Sequence, residues 1–97
     1  MHPIHQIKSF KTIGTFVLRI EFADDSEQEI DFLPVLAGEL YGPLRDVNVF
    51  NQVRIDPEVN TLVWPNGADF DPETLHDWPV YEQAWKERAK QWDLRAA

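Results

Sequence analysis

The chain has 97 residues, 43% of them apolar, no cysteine and a net charge of −8. That is one domain's length, able to bury roughly 60–70% of its unfolded surface in a single core. The absence of cysteine excludes disulfides and zinc–thiolate sites. The charge is unevenly placed: residues 1–85 hold five Lys/Arg and fifteen Asp/Glu, a balance of −10, and residues 86–97 hold four basic and two acidic groups. Phosphate backbones reward clustered cations, so the body is not expected to bind nucleic acid.

The N-terminus, "MHPIHQIKSF", lacks the apolar run of a signal peptide, and apolar stretches such as residues 16–18 are too short to span a bilayer. The expectation is a cytoplasmic protein with no membrane association. A first strand is predicted over residues 4–10. Residues 15–22, "TFVLRIEF", set Phe16, Leu18, Ile20 and Phe22 on one face and Thr15, Arg19 and Glu21 on the other. Such period-two alternation marks a half-buried strand. "ADDS" then supplies turn chemistry, because Asp side chains bond nearby backbone. "EQEIDF" alternates again, with Gln28, Ile30 and Phe32 inward, and a hairpin follows. Pro34 ends that strand, since proline cannot donate to a ladder.

Residues 35–50 predict one or two short helical turns, with Leu36, Leu40, Leu44 and Phe50 facing the sheet. "QVRID" and "TLVW" predict a second hairpin across "PEVN", burying Val53, Ile55, Leu62 and Trp64. "WPNG" reads as a turn: Pro65 presets φ, Asn66 tolerates unusual backbone angles and Gly67 has no Cβ to clash. "DPET" reads as a helix start, with Asp71 as N-cap, Pro72 first in the helix and Glu73 near the positive end of the dipole. A short helix over 72–78 and a second over about 80–94 are predicted, interrupted at Pro79. Trp78, Trp85 and Trp92 recur every seven residues, with Tyr81 between the first two, which lines one helical stripe. The stripe is open to two readings: packing on the domain's own sheet, or contact with a second chain in a homodimer. Likewise, Lys86, Arg88, Lys90 and Arg95 either complement the helix dipole or form a small nucleic-acid patch.

Asp69, Asp71, Glu73, His76 and Asp77 form the one dense group of potential ligands. An EF-hand loop needs Gly at its sixth position and Glu at its twelfth. Counted from Asp69 these are Thr74 and Val80, so the pattern fails. His76 and Asp77 are not expected to pair, because helical neighbours point about 100° apart. His2 and His5 fall on opposite faces of a strand, which separates them as metal ligands. Ser9 and Ser26 lie in no nucleophile elbow, and no phosphate-binding glycine motif is present. No catalytic, cofactor-binding or metal residue is assigned.

The segments "RIEFADDSEQEIDFLPVL", "YGPLRDVNVFNQVRID" and "TLVWPNGADFDPETL" together resemble a bacterial domain-of-unknown-function family, number 2442. The resemblance rests most on Trp64, Pro65, Asn66, Gly67, Asp69, Pro72 and Leu75, and it covers about residues 3–78. Where the family commonly places Gly in the first hairpin turn, this chain has Asp24, Asp25 and Ser26. The resemblance implies a small α+β fold with a mainly antiparallel sheet and brings no catalytic residues. Some relatives are encoded beside another small protein, which suggests antitoxin-like partnering. Others add a helix-turn-helix, for which the nineteen residues after Trp78 are too few.

These readings combine into an α+β domain over residues 1–78, of two hairpins plus an N-terminal strand, with a helical extension over 79–97. The expected function is a non-enzymatic acidic protein-interaction module, an antitoxin-like partner of a neighbouring small protein in its finer form. Trp64, Asn66, Asp69, Trp85 and Trp92 are its candidate contact residues. The alternatives are a small-molecule or divalent-metal site at residues 69–77, and DNA binding through the basic helix end. No cofactor is expected.

Overall fold

Alternation over residues 17–31 sets the fold's centre. A computed structural model of the protein describes residues 5–96, with side chains as far as Trp92. Strands β1 (Ile7–Gly14), β2 (Val17–Phe22) and β3 (Glu27–Asp31) form an antiparallel sheet in that order. Leu18, Ile20, Phe22 and Ile30 alternate onto one face and are buried, as their spacing requires. Lys11, Arg19, Glu29 and Asp31 line the exposed opposite face.

The first strand departs from expectation. It begins at Ile7 and runs to Gly14, whereas residues 4–10 were predicted, and Ile4 lies outside the described residues. Thr15 and Phe16 leave the predicted second strand to make the β1–β2 turn, between Gly14 and its partner Val17. Phe16 takes φ +62°, a left-handed conformation that costs a non-glycine residue about 1–2 kcal/mol. Burial of its ring, edge-on to Phe50 at 5.2 Å, offsets that cost, and its carbonyl accepts from the Phe32 amide. The β2–β3 turn uses the predicted Asp chemistry: the Ser26 amide and hydroxyl both donate to Asp24 Oδ1.

After β3 the chain makes a 3₁₀ turn (Leu33–Val35), α1 (Gly38–Tyr41), a second 3₁₀ turn (Gly42–Arg45) and α2 (Val47–Phe50). Leu36, Leu44 and Phe50 are buried as expected, but Leu40 is 43% exposed. The i, i+4 spacing from Leu36 to Leu40 presumes a continuous helix. Ala37 is extended instead (φ −146°, ψ 164°), which restarts the helix and turns Tyr41 toward the core in place of Leu40.

The second hairpin is shorter than predicted, with β4 (Arg54–Ile55) paired to β5 (Leu62–Val63). The Ile7 amide donates to the Asn60 carbonyl and ties this hairpin to β1. Helix α3 (Pro72–His76) opens as expected, with Asp71 Oδ1 accepting from the Glu73 amide. Helix α4 (Trp78–Ala96) follows after one residue, starting two residues earlier than predicted. The helix packs on the rest of the domain: Trp78 and Ala89 are buried, and Trp85 packs against Phe70 at 5.0 Å. Tyr81 is 36% exposed because it lies about 50° off the centre of the stripe through Trp78, Trp85, Ala89 and Trp92. No helix among the described residues is long and apolar enough to cross a membrane.

Candidate functional site

The turn at residues 64–69 and the tryptophans of α4 are the expected contact region, and their surroundings decide how much of each is available. Trp64 is 2% exposed, and its indole N–H donates to the Phe50 carbonyl at 2.9 Å. Its ring meets Phe32, Phe50 and Phe70 within about the spacing of aromatic pairs, at 6.1, 5.5 and 5.8 Å. Trp64 is therefore a core residue, and the expectation of a surface role is corrected. Asn66 is exposed, and both ends of its amide are bonded: Nδ2 donates to the Leu40 carbonyl at 2.9 Å and Oδ1 accepts from the Ala68 amide. Asp69 is exposed, and its backbone carbonyl accepts from the Tyr41 hydroxyl at 2.7 Å. Burial raises the Tyr41 pKa, with the Asp69 charge adding to it and Arg88 opposing.

Trp85 and Trp92 are half-buried against their own chain. Tyr41 meets Trp85 edge-on at 5.5 Å and stacks on Trp92 at 6.3 Å, 18° from parallel. A Cβ on Gly38, at φ +85°, would stand 3.2 Å from the Trp92 ring, so glycine is what lets this helix end close on α1. The basic side chains of α4 are also engaged. Lys86 pairs with Glu82 at 2.8 Å, Lys90 lies 3.9 Å from Glu87, and Arg88 sits over the Trp85 ring at 5.2 Å. The side chain of Arg95 lies outside the described residues.

The acidic stretch 69–77 does not converge as one site. Asp71 is spent on the α3 cap, and Asp69 and Glu73 face solvent. His76 instead reaches across the fold. Its Nε2 lies 2.7 Å from Asp24 Oδ2 in the β2–β3 turn, and its Nδ1 lies 2.8 Å from Asp77 Oδ1. The second contact corrects the expectation that these neighbours point apart. Asp77 is the α3 C-cap (φ −102°, ψ 33°), and leaving helical geometry swings its carboxylate back to the ring. The ring is further held by the edge of Phe22 at 5.0 Å and by His5, stacked at 3.7 Å and 8° from parallel. Gln28 Nε2, only half-buried, donates to the His76 carbonyl and fixes the helix end to β3.

The electrostatics follow from these contacts. Burial alone pulls the His76 pKa down, but the hydrogen bonds to Asp77 and Asp24 and their charges outweigh it, and the net shift is upward. An imidazolium donating to a carboxylate from each nitrogen fits this arrangement. Asp24 is held well below the usual carboxylate range by the Ser26 hydroxyl, by His76 and by the Ser26 amide. His5, Asp24 and His76 each present a ligand atom, all within 4.8 Å of one another, and among the described residues they are the group close enough together to share a metal ion. His2, weighed with His5 from sequence, lies outside the described residues.

With this geometry in hand, comparison with known proteins adds a family. The model of the family described as proteins of unknown function, DUF2442, matches residues 7–80. The chain belongs to this family. The DUF2442 match takes in the sheet, the second hairpin, α3 and the first residues of α4, including Asp24 and His76 but not His5. No curated protein and no solved structure matches the chain.

Proposed function

We propose that this DUF2442 protein is a non-enzymatic, acidic protein-interaction module of the cytoplasm, and in the finer form of that reading an antitoxin-like partner of a neighbouring small basic protein. The observation that carries it is the uncovered face of the three-stranded sheet. Glu21, Glu27, Glu29 and Asp31 lie on the face opposite the core, and the register sets Glu21 directly across from Glu27. Like charges directly opposite one another destabilise a sheet. Arg19 closes on Glu29 at 2.9 Å, while Glu21 receives a hydroxyl from Ser9 rather than a cation. A basic partner laid on this face relieves that repulsion, and the −10 charge of residues 1–85 steers its approach.

Homodimerisation through α4 draws less support, because its tryptophans already pack on their own chain. DNA binding draws less as well, because Lys86, Arg88 and Lys90 have partners within α4. The test is co-expression with the product of the adjacent reading frame, followed by association kinetics at rising salt. The reading expects a complex whose association slows with salt and slows further in Glu27→Lys. It fails if the two products do not associate, or if their association ignores both salt and that substitution.

A further inference from the structure

We propose that His5, Asp24 and His76 form a binding site for one first-row divalent cation of the zinc class, with Asp77 as the carboxylate that orients the His76 ring. The three residues come from the segment before β1, the β2–β3 turn and the end of α3, and chain connectivity gives no reason for them to meet. They meet through ligand atoms, all within 4.8 Å of one another. The site is independent of the acidic sheet face and of the partner-binding reading.

The donor set selects the ion. Two imidazole nitrogens and one carboxylate oxygen suit zinc, cobalt or nickel, whereas calcium and magnesium favour all-oxygen shells. Asp77 supplies a second, separate indication. Its Oδ1 lies 2.8 Å from His76 Nδ1. A metal-bound histidine commonly donates its other N–H to a carboxylate, which fixes the tautomer and raises the basicity of the ligating nitrogen. His76 Nε2 is then left to face Asp24.

The adjustments needed are small and fall on parts free to make them. His76 Nε2 and Asp24 Oδ2 are 2.7 Å apart, a distance set by a shared proton. Two ligands on one tetrahedral zinc stand about 3.3 Å apart, given bonds of about 2.0–2.1 Å. The Asp24 carboxylate must therefore draw back by roughly half an ångström, on a turn where its side chain is 48% exposed. The His5 ring lies parallel to His76 at 3.7 Å, so the in-plane lone pairs of the two rings run side by side. His5 must tilt for its nitrogen to point at the same ion. The balance is one proton out for one cation in: the cation replaces the proton on Nε2, which passes to solvent, and Nδ1 keeps its hydrogen and donates it to Asp77. Lys8 is paired with Asp25 of the same turn at 3.6 Å rather than with Asp24.

The experiment is a titration of the untagged full chain, stripped with chelator, with Zn²⁺ against a chromophoric competitor, repeated with Co²⁺ to read its visible d–d bands. The expected result is one ion per chain, with a rise in Tm of roughly 10 °C when zinc is a hundredfold above the dissociation constant. His5→Ala, at a half-exposed position outside any strand, should lower the metal-free Tm by only a few degrees, about the worth of one ring stack, and weaken binding by at least about 100-fold, more than loss of an outer-shell partner does. Asp77→Asn should weaken it by about 10–100-fold. In the Co²⁺ adduct, imidazole resonances of both His5 and His76 should carry paramagnetic shifts. The proposal is overturned if zinc neither displaces the competitor nor raises Tm. It is equally overturned if zinc binds at several ions per chain with unchanged affinity in His5→Ala, which is the behaviour of scattered surface carboxylates.

Discussion

Two ends of one short segment meet opposite fates. Residues 63–70 turn inward: Trp64, Ala68 and Phe70 are buried, and the polar atoms between them serve the backbone. Residues 71–77 bury Leu75 but keep their polar groups near the surface, where Asp71 caps α3 and His76 bridges two carboxylates. Each end holds one proline, but the first carries Trp64, Phe70 and a single acid, and the second carries His76 and three acids. That difference matches the neighbour each meets. The first end lies under an aromatic cluster that excludes water. The second abuts the β2–β3 turn, whose Asp24 offers charge in place of apolar surface.

The contrast is broken most directly at Trp64. Trp64→Ala removes a filled core volume and one of the two hydrogen bonds to the Phe50 carbonyl, which keeps the Val53 amide, and should cost about 3–5 kcal/mol in urea unfolding. A cost under 1 kcal/mol, on the scale of a surface substitution, would mean that the turn end is not core. Gly38→Ala tests whether the same core extends to α4. The left-handed backbone and the Trp92 ring both oppose a Cβ there, so about 2 kcal/mol should be lost, with Trp fluorescence shifting to the red. Unchanged emission would place Trp92 off the seam. At the polar end, Asp71→Ala should cost only about 1 kcal/mol, the worth of an N-cap, with Asp71→Ser recovering most of it.

The smallest effect concerns Tyr41, which roofs the buried end. Its folded pKa is raised, so the fold favours the neutral phenol. The stability this gives is fully present below the unfolded value of about 10 and is lost as pH rises through the folded value. The urea midpoint of the wild type should thus fall more steeply than that of Tyr41→Phe between about pH 10 and 12. Parallel slopes would show that the phenol is not sheltered.

Local chemistry carried much of this architecture in the sequence. The alternation of Leu18, Ile20 and Phe22, the Asp24 turn and the cap formed by Asp71 and Pro72 each depend on residues within a few positions of one another. Their steric and hydrogen-bonding preferences therefore act before the rest of the fold exists. Three features were not legible that way. Leu40 gave its inward place to Tyr41 because an extended Ala37 reset the helical phase. Phe16 became a turn residue because its ring had Phe50 to rest on. His5, Asp24 and His76 gathered because the N-terminal segment, a hairpin turn and a helix end meet in space. Contacts over such separations leave no periodicity or capping signal in the chain; only the packed sheet and helices, by bringing distant segments within bonding distance, decided them.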